Sequence, residues 1–163
     1  AEKGTAMHKF LQFASFDLAR QNLELEVERL KGIRLSPQEA ESLDLAKLKK
    51  FLNSEIVSDA IENPSYREYR FTVNIPANLT GLTEDSETSV ILQGAVDLLI
   101  IKNDEITIID YKTDRVSSSD LLLERYQKQL SLYKKAVSAC FELPVSRCLI
   151  YSIHLGEYKE VSE

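Results

Sequence analysis

Asp97, Asp110 and Lys112 stand at a spacing that can hydrolyse a phosphodiester: Gly94-Ala95-Val96-Asp97 opens an apolar run, and Asp110-Tyr111-Lys112 ends the next one. In a strand, residues i and i+2 share a face, so Asp110 and Lys112 point one way and Tyr111 the other. A tight turn at Lys102-Asn103-Asp104-Glu105 sets Asp97 beside Asp110. Two carboxylates so crowded repel each other unless a cation relieves them. Hard Mg²⁺, with Mn²⁺ as a substitute, prefers such oxygen ligands, polarises a phosphoryl oxygen and acidifies bound water. A protonated Lys112 cannot ligate the metal, but it can orient the water or stabilise charge developing at phosphorus.

The elements that must position these groups are legible in the hydrophobic pattern. Met7, Leu11, Ala14, Leu18, Leu25 and Leu30 recur at helical spacing and predict one long helix from Thr5 to about Leu30. Ser36-Pro37-Gln38-Glu39 is a capping box that opens a second helix through Leu43, Leu48, Phe51 and Leu52. A short helix through Ile56 and Ile61 stops at Asn63-Pro64. Alternation then predicts strands over Tyr66–Ile75, Val90–Ile101 and Ile106–Asp110, the first two joined by a polar, mobile connection from Pro76 to Ser89. Ser119-Asp120 starts a helix reaching about Cys140 that covers one sheet face, and Val145–Ile153 and Glu157–Val161 are further strands. The fold class is therefore α/β, an α+β arrangement with a mixed sheet: N-terminal helices, a three-stranded meander, a helix and further strands, with one right-handed parallel crossover.

At 163 residues the chain is long enough for one hydrophobic core. We expect a single domain, residues 1–163, with a helical part at 4–63 and a catalytic core at 65–161. A start without methionine suggests a piece of something longer. No apolar run approaches the roughly 20 residues of a membrane helix, which predicts a soluble cytoplasmic protein without a membrane partner. Cys140 and Cys148 are too few for a disulfide framework or a four-thiolate centre and are expected as free thiols. The net charge of −6 is the wrong sign for a free-standing DNA binder. No phosphate-binding G-x-x-x-x-G-K-[ST] loop is present, so any ATP-driven motor must lie in other sequence. The basic run Lys47-Leu48-Lys49-Lys50 reads as the solvated face of a helix.

An acid on one strand followed by acid-x-Lys on the next resembles the PD-(D/E)XK nuclease superfamily. More closely, the chain is similar to RecB-type nuclease domains, such as the one at the C-terminal end of AddA helicase-nuclease subunits. Gly4-Thr5-Ala6-Met7-His8, Arg67-Glu68-Tyr69-Arg70-Phe71, Gly94-Ala95-Val96-Asp97, Ile109-Asp110-Tyr111-Lys112-Thr113-Asp114 and Gln129-Leu130-Ser131-Leu132-Tyr133 carry the likeness. It implies a restriction-endonuclease-like core that cuts DNA. His8, Asp97, Asp110 and the Tyr111 carbonyl would bind Mg²⁺, Glu68 would support the site, and Lys112 would act on the water. Gln129 and Tyr133 fall on the family's Gln-x-x-x-Tyr motif and would contact DNA or support the core. The family often carries proline where Arg70 stands, which bears on Glu68 alone.

The resemblance further implies a bacterial helicase-nuclease that processes double-strand breaks for recombinational repair. Helicase domains of the same parent chain would use ATP and feed single-stranded ends to the site beside an AddB-like partner subunit. Without a cysteine quartet the iron-sulfur cluster of AddB and Cas4-like relatives is not expected. Two other readings stand beside this one: a catalytically silent nuclease fold used for docking or DNA binding, and a stand-alone repair exonuclease. Taken singly, each residue has a plainer role: a lone Asp-x-Lys is usually solvated, His8 an ordinary helix histidine, Glu68 a solvent-facing strand residue and Tyr133 core packing. Asp114 is read as surface.

Overall fold

The computed structural model describes residues 2–162. The long first helix expected from the periodicity is three helices: α1 (Glu2–Phe13), α2 (Phe16–Gln21) and α3 (Leu23–Leu30). Apolar spacing runs through both breaks, but Ser15 and Asn22 accept the amides of Leu18 and Leu25 on their side chains, so each caps a new helix. Glu26, almost fully buried, accepts the Ser15 amide at 2.8 Å and pairs with Arg29, which holds the first bend. The second expected helix divides likewise into α4 (Pro37–Ser42), which carries the capping box, and α5 (Leu45–Leu52), capped by Asp44. Then comes α6 (Glu55–Glu62), ending at Asn63.

Five strands follow in spatial order β1-β2-β3-β4-β5: β1 (Ser65–Pro76), β2 (Ser89–Lys102), β3 (Glu105–Lys112), β4 (Val145–Ser152) and β5 (Glu157–Glu160). All neighbours are antiparallel except β3 and β4, which are joined by α7 (Asp120–Phe141). Asn103 and Asp104 take positive φ of 54° and 60°, the two left-handed residues that a tight hairpin between twisted strands requires. The connector between β1 and β2 carries a short 3-10 turn at Ala77–Thr80, and Asp85 accepts the amides of Glu87 and Thr88.

The sheet lies between two helical layers. Leu98, Ile100, Ile109, Tyr111, Leu149 and Tyr151 face the core built by α1 to α6, whereas Val96, Leu99, Ile108, Cys148 and Ile150 face α7. The mixed sheet is the one that the pattern predicts, and the layering is the restriction-endonuclease-like one that the resemblance implies. Beneath the C-terminal end of β3, Phe51 of α5 stands edge-on to Tyr111 at 5.1 Å and to Tyr151 at 4.8 Å. That aromatic floor fixes the strand from below. Among the described residues no helix is long and apolar enough to cross a membrane.

Phe51→Ala is expected to cost about 3–5 kcal/mol in chemical denaturation, because the ring is fully buried and its loss leaves a cavity. Burial pushes the Cys148 thiol up to about 12, while Cys140 is exposed. A thiol reagent at pH 8 should therefore label Cys140 alone until denaturant is added, as mass spectrometry of the labelled peptides would report.

Candidate active site

The ladder between β2 and β3 runs from Lys102↔Glu105 to Leu98↔Ile109 and goes no further, so the next residue of β2, Asp97, falls where the two strands part. A strand residue directs its N–H and C=O to the same side. Tyr111, still paired with Tyr151 of β4 in register, therefore presents both groups to the opened side. Side chains answer them: the Tyr111 amide donates to Asp97 Oδ2 at 2.7 Å, and its carbonyl oxygen lies 3.0 Å from His8 Nε2. Across β1, the pairs Arg67↔Leu98 and Tyr69↔Val96 bracket Glu68 opposite Asp97. Glu68 has a φ of 49°, a left-handed conformation costing of order 1–3 kcal/mol in a non-glycine residue. Its carboxylate lies 3.8 Å from the Arg70 guanidinium and forms an ion pair with it.

His8 arrives on α1. The far end of that helix is held by Arg67, whose guanidinium donates to the carbonyls of Leu11 and Ala14 at 2.8 and 2.9 Å and lies over the Phe16 ring. The near end lies against β3, because a Cβ at Gly4 would fall 2.7 Å from Thr113 Oγ1. His8 Nδ1 is 3.0 Å from the Gly4 carbonyl oxygen, so both ring nitrogens face carbonyl oxygens, and both can donate only in the imidazolium form. Its bond to Asp97, whose Oδ2 lies 3.5 Å from Nε2, outweighs the opposing effect of burial and raises His8 to about 9.

Asp110 and Lys112 share the α7 side of β3. The ammonium is 2.9 Å from Asp110 Oδ2, an atom otherwise without a hydrogen-bond partner, and 3.9 Å from the centre of the Tyr126 ring. Burial, followed by the charge of Asp97, raises Asp110 to about 6. Burial opposes the Lys112 charge, but Asp110 beside it prevails, and the ammonium is held above its ordinary range. Asp114, expected at the surface, accepts from the Tyr126 hydroxyl at 2.8 Å and pairs with Arg125 at 3.1 Å. It thus holds the ring that covers Lys112. In the sequence Tyr126 reads only as part of an apolar helix stripe; the signal that could have marked it is a hydroxyl-bearing residue placed i, i+3 and i+7 with Gln129 and Tyr133.

Gln129 and Tyr133 of α7 bond each other at 3.1 Å, and Tyr133 lies edge-on to Phe71. The Tyr133 ring can approach β2 because position 94 is glycine, where a Cβ would fall 2.7 Å from both rings. Tyr133 lines the same small space under α7 as Asp110.

The structure thus gathers His8, Asp97 and Tyr111 in one contact and Asp110 with Lys112 in the next, with Glu68 adjacent and Gln129 further out. Among the described residues no three His, Cys, Asp or Glu side chains form a ready cage. The donor types fit a hard divalent cation: two carboxylates, a carbonyl, and an imidazole whose other nitrogen is oriented by a backbone oxygen. A folded-state His8 raised to about 9 adds stability that is complete below its ordinary 6.5 and lost as pH rises through 9. In metal-free protein, NMR should show the His8 ring titrating near 9, and Asp97→Asn should return it toward 6.5.

The sequence model of the PD-(D/E)XK nuclease superfamily matches residues 1–161. An ATP-dependent helicase/nuclease subunit of Ligilactobacillus salivarius is 32% identical over 164 residues, covering 96% of this chain and 13% of that protein. The protein of the same name from Ruminiclostridium cellulolyticum is 33% identical over 172 residues, covering 99% of this chain and 13% of its own length. The chain therefore spans a small part of these relatives. The solved structure of SSO0001 aligns with 94% of this chain and 63% of its own, at a TM-score of 0.43 and 14% identity. A match over almost every residue, on a sheet that carries Asp97, Asp110 and Lys112 at its opened end, places the chain in the PD-(D/E)XK nuclease superfamily.

Proposed function

We propose that the chain acts as one nuclease module, residues 1–163, which hydrolyses DNA phosphodiester bonds with Mg²⁺. The observation that carries this reading is the opened ladder, where Asp97 and His8 close on the Tyr111 amide and carbonyl with Asp110 and Lys112 alongside. His8, Asp97, Asp110 and the Tyr111 carbonyl would hold the ion, which when bound polarises the phosphoryl oxygen and lowers the pKa of water. Lys112, kept protonated by Asp110, donates: it can orient the water and stabilise charge on the phosphoryl oxygens as the P–O ester bond breaks. Tyr126, fixed by Asp114, keeps that ammonium in place and partly screened from solvent. Glu68 would support the metal side of the site from the neighbouring strand.

The name that the relatives share supports a setting for this chemistry. The parent would be a cytoplasmic bacterial helicase-nuclease that processes double-strand breaks for recombinational repair. Its ATP-driven helicase domains and an AddB-like partner would deliver single-stranded ends. Neighbouring domains would then supply phosphate-binding charge that a chain of net charge −6 lacks overall.

Incubated with single-stranded DNA and Mg²⁺ or Mn²⁺, the purified chain is expected to produce slow degradation visible on a denaturing gel. Chelator and Asp110→Ala should each abolish it, and Lys112→Ala should reduce the rate about 10²–10³-fold. DNA binding with no cleavage under either metal would favour a silent docking module instead.

A further inference from the structure

Beside the site lies a cavity of about 930 Å³, lined by Gly4 and Met7 of α1, Lys47 of α5, and Thr113, Arg115 and His154 from the segments that follow β3 and β4. We propose that this cavity is the track for the phosphate backbone of the DNA strand, with Lys47 and Arg115 as its phosphate contacts; the inference rests on the nuclease reading above.

Continuity with the site is the first argument. Thr113 directly follows Lys112, Met7 directly precedes His8, and the Gly4 carbonyl is the oxygen that faces His8 Nδ1. On this proposal, a strand leaving the reacting phosphate along this end of the sheet would pass into the cavity.

Charge is the second. Lys9, Lys49, Lys102, Arg125, Arg147 and Lys159 each lie within 3.3 Å of a carboxylate. Arg115 is exposed and has no acidic partner among the described residues. Lys47 Nζ lies 3.3 Å from His154 Nδ1 and 3.8 Å from Asp44 Oδ2, and the other oxygen of Asp44 is committed to capping α5. The basic run that reads in sequence as a solvated helix face is thus divided: Leu48 is buried, Lys49 pairs with Glu24, and Lys47 turns into the cavity.

The lining also says how a strand is read. Among the described residues no Phe, Tyr or Trp lines the cavity, so it offers bases no broad stacking surface; it holds cations, with the Asp44 carboxylate beside Lys47, over an apolar wall that includes Met7, Leu43, Leu45 and Ile153. Recognition there is of phosphate alone, independent of sequence and steep in salt.

The test uses the whole chain and a fluorescein-labelled oligothymidylate, with anisotropy read in chelator across a salt series. Lys47→Gln and Arg115→Gln should each weaken binding severalfold and lower the slope of log affinity against log salt by about 0.7 per lost contact. Lys49→Gln should match wild type. With Mg²⁺, both cavity variants should raise KM and leave kcat unchanged. Wild-type affinity and slope in the Lys47→Gln/Arg115→Gln double variant would overturn the track, even if cleavage proceeds normally. Binding that needs both residues, without cleavage under Mg²⁺ or Mn²⁺, would instead preserve the track and remove the nuclease reading. Binding of an oligo-glutamate peptide that depends on Lys47 and Arg115 and is tighter than that of an oligothymidylate of equal charge would overturn the assignment in favour of an acidic protein partner.

Discussion

The structure depends on one substitution of a side chain for a strand. Beyond Leu98↔Ile109, β2 no longer hydrogen-bonds β3, and a buried amide and carbonyl at Tyr111 would be left without partners. An orphaned buried backbone group costs about 1–3 kcal/mol, so the fold must answer both. Asp97 answers the amide, and His8 answers the carbonyl. Those two replies bring an anion from the neighbouring strand and an imidazole from 103 positions away to the same residue, on the strand that also carries Asp110 and Lys112. Satisfaction of the backbone and assembly of the charged site are therefore one event.

Without a cation, a proton does part of the same work. His8 stands between the Gly4 and Tyr111 oxygens beside Asp97, which favours the doubly protonated ring. Asp110, further from that positive charge and deeply buried, instead keeps its proton to about 6. The two shifts run in the directions expected of a region with more acceptor oxygens than positive charge to meet them.

Much of the fold is readable from periodicity alone. Strand alternation, the left-handed Asn103-Asp104 hairpin and the Ser36–Glu39 box are local signals, and the elements lie where those signals fall. The helix breaks at Ser15, Asn22 and Asp44 are different in kind. They depend on whether a short polar side chain bonds its neighbours' amides or leaves the backbone to continue, and an uninterrupted apolar spacing does not record that choice. In the site, strand alternation places Asp110 and Lys112 on one face. The backbone groups of Tyr111, the carbonyl of Gly4, the guanidinium of Arg67 and the Asp114–Tyr126 support are not legible, because each acts through contacts made only in three dimensions. Lys47 belongs with them: the same run of lysines serves solvent, an ion pair and a cavity, depending on which way the helix lies.

The contact between His8 and Tyr111 joins residues 103 positions apart. Loop closure over that distance is entropically costly, so the docking of the first helix on β3 should be among the last contacts of the chain to form and among the first to fray. Any ligand that grips the imidazole and the strand together therefore works as a clasp: by mass action it resists that fraying. Occupancy of the site and docking of the first helix become a single linked equilibrium.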